Sequence, residues 1–237
     1  MTHSSPLIVL VHGAFSDASI WRAVSMDLQA RGFRVLCPAL PMRGLISDAA
    51  YLDSILANLN ETVVLVGHSY GGSVISYPLI HDTKISALVF VAAFQPDAKE
   101  SAGELNGRFP GSKLAPESLI IWPTPTGQDI YLKTERFQEV YAGDIDDEQI
   151  RLMSAAQRPI DASALGEVFE ASPLWKKKPS WAMVATQDQS IPPEALRFMA
   201  KRAGSTVIEV EASHATPASR PREVVQAILA AIAGDAK

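Results

Sequence analysis

Over residues 7–93, unbroken apolar runs alternate with segments whose apolar residues recur at helical spacing. "LIVLVHG" (Leu7–Gly13), "RVLCPAL", Thr62–Val66 and "ISALVFVAA" (Ile85–Ala93) read as strands apolar along their whole length. Between them, Ile20–Arg31, Asp48–Leu59 and a stretch from Tyr70 to about Ile80 carry one apolar stripe each and read as helices. A strand that alternates polar and apolar residues can leave one face in water; one that is apolar throughout must be covered on both. The pattern therefore predicts an α/β fold built on a mostly parallel sheet with helices on both faces.

The rhythm stops at Phe94 and returns with "SWAMVATQD" (Ser180–Asp188), a helix from Pro193 to Ala203 closed by Gly204, the strand "STVIEVEA", and a last helix over Arg222–Ala233. This predicts six core strands. Residues 1–96 and 179–237 form the core, and 97–178 a helical lid inserted between the fourth and fifth strands. Within the insertion, "DIDDEQIRLMSAAQ" and "DASALGEVFEA" read as helices, the first with acidic residues where negative charge suits a helix N-terminus. Sites in such sheets form beyond the C-terminal strand ends, which is where an insertion becomes a lid.

Composition removes several function classes. The 237-residue chain carries a net charge of −5. Residues 97–178 hold 14 acidic and 10 basic side chains, −4 of that total. An acidic chain without a basic stripe lacks the contacts that dominate nucleic-acid affinity. The single cysteine, Cys37, excludes an internal disulfide and a cysteine-built metal site, and is expected to be buried and inert. The N-terminal run is too short for a signal peptide and no window is long enough to span a bilayer, so the expected location is the cytoplasm. The oligomeric state is open between monomer and homodimer.

The chemistry enters with "VVLVGHSYGG" (Val63–Gly72). Gly67-His68-Ser69-Tyr70-Gly71 matches G-x-S-x-G between a strand and a helix, where a serine on a sharp, strained turn projects its hydroxyl above the sheet. The bland reading is a serine that caps the helix; the strand–turn–helix context favours a nucleophile. That nucleophile needs a base. His3 lies at the terminus, His81 at the end of the helix remote from the serine, and His68 on the other side of the turn. His12 belongs with the loop after the first strand. His214, in "VEASHATP" after the last strand, reaches the same sheet edge as Ser69. Asp188, ending the preceding strand, is the acid placed to orient it, with Asp97 and Glu211 as competitors. The backbone N–H groups of Tyr70 and of Ala14, with Phe15 as the other choice, are the candidate oxyanion donors.

"LIVLVHGAFSDASIW", "VVLVGHSYGG" and "HATP" together resemble the α/β-hydrolase superfamily, in the branch of small serine esterases that includes plant methyl-ester hydrolases, hydroxynitrile lyases and many bacterial members. "DEQIRLMSAAQRPI" resembles that branch's lid. The resemblance implies an acyl-enzyme on Ser69 formed from a small-molecule ester, without cofactor or metal. The lyases of the branch carry a lysine after the histidine and a threonine in the oxyanion loop. This chain has Ala215 and Gly13 there, which disfavours cyanohydrin cleavage. Ser69 in the nucleophile's place excludes the dehalogenases, which need a carboxylate. Cofactor-free oxygenation and a ligand-binding protein that retains the triad remain as rivals. Phe15 and Trp122 are the candidate substrate-binding residues. The other insertion aromatics, among them Phe109, Tyr131, Phe137, Tyr141, Phe169 and Trp175, are each better read as packing between insertion and core.

Overall fold

The computed structural model describes residues 5–234; His3 lies outside them. β1 (Leu7–Val11) is buried at every position. A short turn of helix capped by the Asp17 side chain leads into α1 (Arg22–Ala30), which buries Val24 and Leu28. The second strand is only β2 (Val35–Leu36), cut short before Pro38, which has no N–H for the ladder. α2 (Leu45–Ala57) begins three residues earlier than the apolar stripe indicates. β3 (Val63–His68) is wholly buried, and α3 (Tyr70–Ser76) ends before Pro78. The residue preceding a proline is pushed out of the helical region, and Tyr77 is extended. β4 (Ile85–Val91) follows.

The insertion is not purely helical. It holds α4 (Ala102–Gly107), β5 (Leu119–Thr124), β6 (Gly127–Leu132), α5 (Thr134–Tyr141), α6 (Asp147–Ala155) and β7 (Ile160–Asp161). β5, β6 and β7 form an antiparallel sheet. β5 and β6 make a hairpin about Pro125–Thr126, closing on Gly127 at φ 149°, a conformation glycine adopts without cost. Half-exposed strands broken by two prolines carry too little alternation to be recognised. The expected helix at Asp161 is also absent. Asp161 pairs in β7, and its carboxylate takes hydrogen bonds from the Ser163 backbone and hydroxyl at 3.0 and 2.6 Å. Such local bonds compete with helix formation. α6 forms as expected, with Asp146 as its cap: the side chain accepts from Gln149 N–H at 3.0 Å.

β8 (Ser180–Ala185), α7 (Pro193–Ala203), β9 (Thr206–Val210), α8 (Thr216–Ser219) and α9 (Pro221–Ala233) complete the fold. The six core strands run β2-β1-β3-β4-β8-β9, and every pairing is parallel. α1 and α9 pack together on the sheet, and α2 packs against α3. From β1 the chain goes outward to β2, then crosses back to β3 on the other side. The order therefore reverses between β1 and β3, the crevice where parallel sheets bind ligands. At that point α3 lies against the end of β1: a Cβ on Gly71 would stand 2.6 Å from the Val11 carbonyl oxygen and 2.7 Å from that of His12. Only glycine permits that approach.

Candidate active site

Four loops at the C-terminal sheet edge carry the site. Ser69 sits between β3 and α3 with φ 54° and ψ −125°, a strained conformation for a residue with a side chain. It is held there because its carbonyl accepts from both Gly72 N–H at 3.0 Å and Phe94 N–H at 3.1 Å. The loop after β1 presses against it. A Cβ on Gly13 would lie 2.5 Å from Ser69 Cβ and 3.2 Å from its Oγ, so glycine allows main chain to approach the hydroxyl.

In that loop the Phe15 N–H is committed to the Arg158 carbonyl at 3.0 Å. Ala14 N–H has no acceptor among the described residues, nor has Tyr70 N–H, which opens α3 where no helical acceptor exists. The Tyr70 side chain points the other way, its hydroxyl donating to Asp48 Oδ2 at 2.9 Å in the interior. Burial pushes the Asp48 carboxyl above its usual range, and burial together with Asp48 pushes the Tyr70 phenol up.

Beyond β9, His214 is 2% exposed, and its Nδ1 lies 2.7 Å from Oδ2 of Asp188, which follows β8. The second carboxylate oxygen, Oδ1, accepts from Ser190 N–H at 2.7 Å and Ile191 N–H at 2.8 Å. Asp188 is thereby held from both sides and set against the imidazole. A carboxylate acceptor places the proton on Nδ1 and leaves Nε2 its lone pair. The competitors are occupied elsewhere. Asp97 pairs with Lys176 Nζ at 2.6 Å, and Glu211, just past β9, accepts from Gln187 at 2.9 Å. His81 is paired with Asp53 at 3.1 Å.

Ser69 opens onto a cavity of about 170 Å³. Its apolar wall includes Phe15, Phe94, Leu119, Leu165 and Ile191. Asn106 and Ser190 are polar members of the lining. Asn106 Nδ2 donates to Ser112 Oγ at 3.0 Å, and Ser112 in turn donates to the Ser190 carbonyl at 2.7 Å. Because the single hydroxyl proton is spent there, the amide must face Ser112 with its nitrogen. Its Oδ1 is left buried with no donor among the described residues. Trp122 is not on this wall. It is 54% exposed on β5 and packs against Tyr131 at 4.7 Å between ring centres. The strand's pleat turns it outward, which a reading of the insertion as helix does not anticipate.

Two supports escaped the sequence reading. The end of α5 reaches both loops of the pair: Ser190 Oγ donates to the Val140 carbonyl at 2.8 Å, and Ala215 N–H to that of Tyr141 at 2.9 Å. These are the carbonyls a helix leaves without intrahelical partners, so nothing in the side-chain pattern announces them. Asp144, part of the acidic run, accepts from Ser213 Oγ beside His214 and lies 3.4 Å from Arg220. The other support is histidine at the floor. His12 Nε2 accepts from Leu40 N–H at 3.1 Å, leaving Nδ1 to donate to the Gly13 carbonyl at 2.9 Å. His68 is fully buried beneath His214.

Burial holds His12 below the ordinary histidine range and His68 well below it. In the unfolded chain each binds a proton near pH 6.5. These lowered values contribute stability that is full above pH 6.5 and lost as pH falls through and below it. Each proton bound by the unfolded chain and absent from the native state adds at most about 1.4 kcal/mol per pH unit to that slope. Asp48, raised by burial, acts in the opposite sense above its unfolded value of 3.8. Urea midpoints are expected to fall between about pH 7.5 and 5.5, with a shallower slope in His68→Gln. An unchanged slope in the variant would show that His68 does not contribute.

This architecture can be compared with known proteins. An alpha/beta hydrolase family model matches residues 8–227. The chain belongs to that family. Pyrethroid hydrolase of Sphingobium wenxiniae is 28% identical over 93% of this chain and 85% of that protein. Methylesterase 2 of Arabidopsis thaliana is 36% identical over 47% of this chain and 48% of its own. Among solved structures, polyneuridine aldehyde esterase superposes with a TM-score of 0.79 at 24% identity, covering 95% of this hydrolase and 98% of the esterase. That likeness carries the fold. No helix among the described residues of this hydrolase is long and apolar enough to cross a membrane.

Proposed function

We propose that this hydrolase cleaves a small carboxylic ester through an acyl-enzyme. Ser69 is the nucleophile, His214 the base and Asp188 its orienting acid; Ala14 and Tyr70 N–H form the oxyanion hole. The buried 2.7 Å bond between Asp188 and His214, on the loops facing a strained serine, carries the reading. Ser69 Oγ attacks the ester carbonyl as His214 Nε2 takes its proton. The negative oxygen is met by two N–H groups that have no other acceptor among the described residues. His214 then protonates the departing alcohol, and water repeats the sequence in reverse order to free the acid. Commitment of the Phe15 N–H to Arg158 leaves Ala14 as the first-loop donor.

The residues 97–178 act as the lid that covers Ser69 and shapes the acyl pocket. Sites for drug-sized ligands run to about 300–1,000 Å³, and a cavity of about 170 Å³ with a largely aliphatic wall suits a short, apolar acyl group. The names of the relatives, a pyrethroid hydrolase and methylesterases, support ester hydrolysis. On a panel of p-nitrophenyl esters, kcat/KM is expected to fall at least about tenfold from butyrate to decanoate. A serine-directed phosphonate is expected to modify Ser69 alone, read by peptide mass spectrometry. Labelling elsewhere refutes the nucleophile; a flat chain-length profile refutes the small pocket.

A further inference from the structure

His68 is the last residue of β3, next to the serine, and, although buried beside the site, has no part in the chemistry above. Its Nε2 lies 2.9 Å from the main-chain carbonyl oxygen of His214. A carbonyl only accepts, so Nε2 carries the proton. Nδ1 is buried with no hydrogen-bond partner among the described residues. The ring meets Trp21 and Tyr141 edge-on, with centres 6.2 and 6.1 Å away, and lies 4.8 Å from the His214 ring. Packed on three sides, it cannot swing away from the carbonyl it serves.

The placement joins two of the site's loops by a hydrogen bond. Among the described residues, this is the one hydrogen bond between residues 67–72 and residues 212–216. The other long-range bonds of residues 212–216 run to Gln187 and Asp188, through Ala212 and His214, and to the insertion, through Ser213 and Ala215. They orient the imidazole without referring it to the serine. His68 is covalently joined to Ser69, so its bond measures the base directly from the nucleophile's own main chain.

We propose that His68 is a positioning residue for His214, setting the distance of the base from Ser69 through its Nε2–H and the His214 carbonyl. The proposal rests on the reading of Ser69, His214 and Asp188 as the reacting groups. It also accounts for the orphaned Nδ1. A buried acceptor without a donor costs free energy, and the Nε2 contact of the same ring offsets that cost. A neutral ring further keeps a second positive charge away from the imidazolium that forms on His214 during turnover.

The test compares His68→Gln, His68→Asn and His68→Leu. Glutamine carries an amide N–H out to the reach of Nε2; asparagine has the same chemistry but stops about one bond short. Misplacement by about 1 Å can cost about 100-fold in rate, so kcat for p-nitrophenyl acetate is expected to drop about 100-fold in the Asn and Leu variants. KM should stay within about twofold, since His68 is not on the cavity wall. The Gln variant is expected to recover to within about tenfold of the parent. A folded Leu variant with undiminished kcat, or equal losses for Gln and Asn, overturns the proposal. If the Leu variant does not fold, the Gln–Asn pair decides alone. Ser69→Ala is run alongside. Turnover that survives it would refute the underlying reading, whereas its loss with a fully active Leu variant would refute only the role of His68.

Discussion

Replacing Ser69 by alanine is expected to reduce kcat on p-nitrophenyl acetate by about 10⁴- to 10⁶-fold while leaving KM within a few-fold. The size follows from what is lost: with no hydroxyl there is no acyl-enzyme, and only the oxyanion donors and the pocket remain to assist direct attack by water. The fold should tolerate the change, because the turn is held by the Ser69 main chain, whose carbonyl takes two hydrogen bonds. Alanine at φ 54° stays strained, so Ser69→Gly, equally inactive, is expected to melt higher. Initial rates measured beside a thermal melt check both points. A serine variant that keeps a tenth of its kcat would end the acyl-enzyme reading.

Asp188→Asn is expected to lower kcat by about 10⁴-fold, and the structure says how. Oδ1 of Asp188 is fixed by the Ser190 and Ile191 N–H groups. In the amide, the oxygen must stay with those two donors, which turns the NH₂ toward His214. Nδ1 then has to accept, and the imidazole proton moves to Nε2, where it faces Ser69 and blocks proton abstraction. KM should hold, and the rate of phosphonate labelling should fall in parallel with kcat. If kcat stays within about tenfold, the orienting acid lies elsewhere. Asp97 is held by Lys176 and Glu211 by Gln187, so neither competitor is free to take over.

Both expectations concern residues that could be picked out before any coordinates. The elbow is legible because a serine flanked by glycines between an apolar run and a helix has few alternatives, and Gly71 proves indispensable for the approach of α3 to β1. Asp188 and His214 are legible because parallel strands deliver their C-terminal loops to one edge. The β5–β6 hairpin was not, since its exposed, proline-broken strands lack alternation. Trp122 was misplaced for the same reason. Asn106 carries no local signal at all; its place on the cavity wall and the orientation imposed by Ser112 and Ser190 are tertiary. Nor could the sequence show that carbonyls at the end of α5 hold the Asp188 and His214 loops.

The division has a physical basis. Strand burial, helix stripes, caps and the strained turn are local consequences of residue type and spacing, readable wherever short-range sterics and hydrophobicity dominate. Order along the chain then limits which loops share the sheet edge. Which groups actually meet is a matter of a few ångströms between segments over a hundred residues apart, as for His68 and His214. That is decided by how side chains and stray backbone carbonyls pack once the sheet has twisted and residues 97–178 have packed against it. Such contacts have no periodicity, and so leave no trace in the linear pattern.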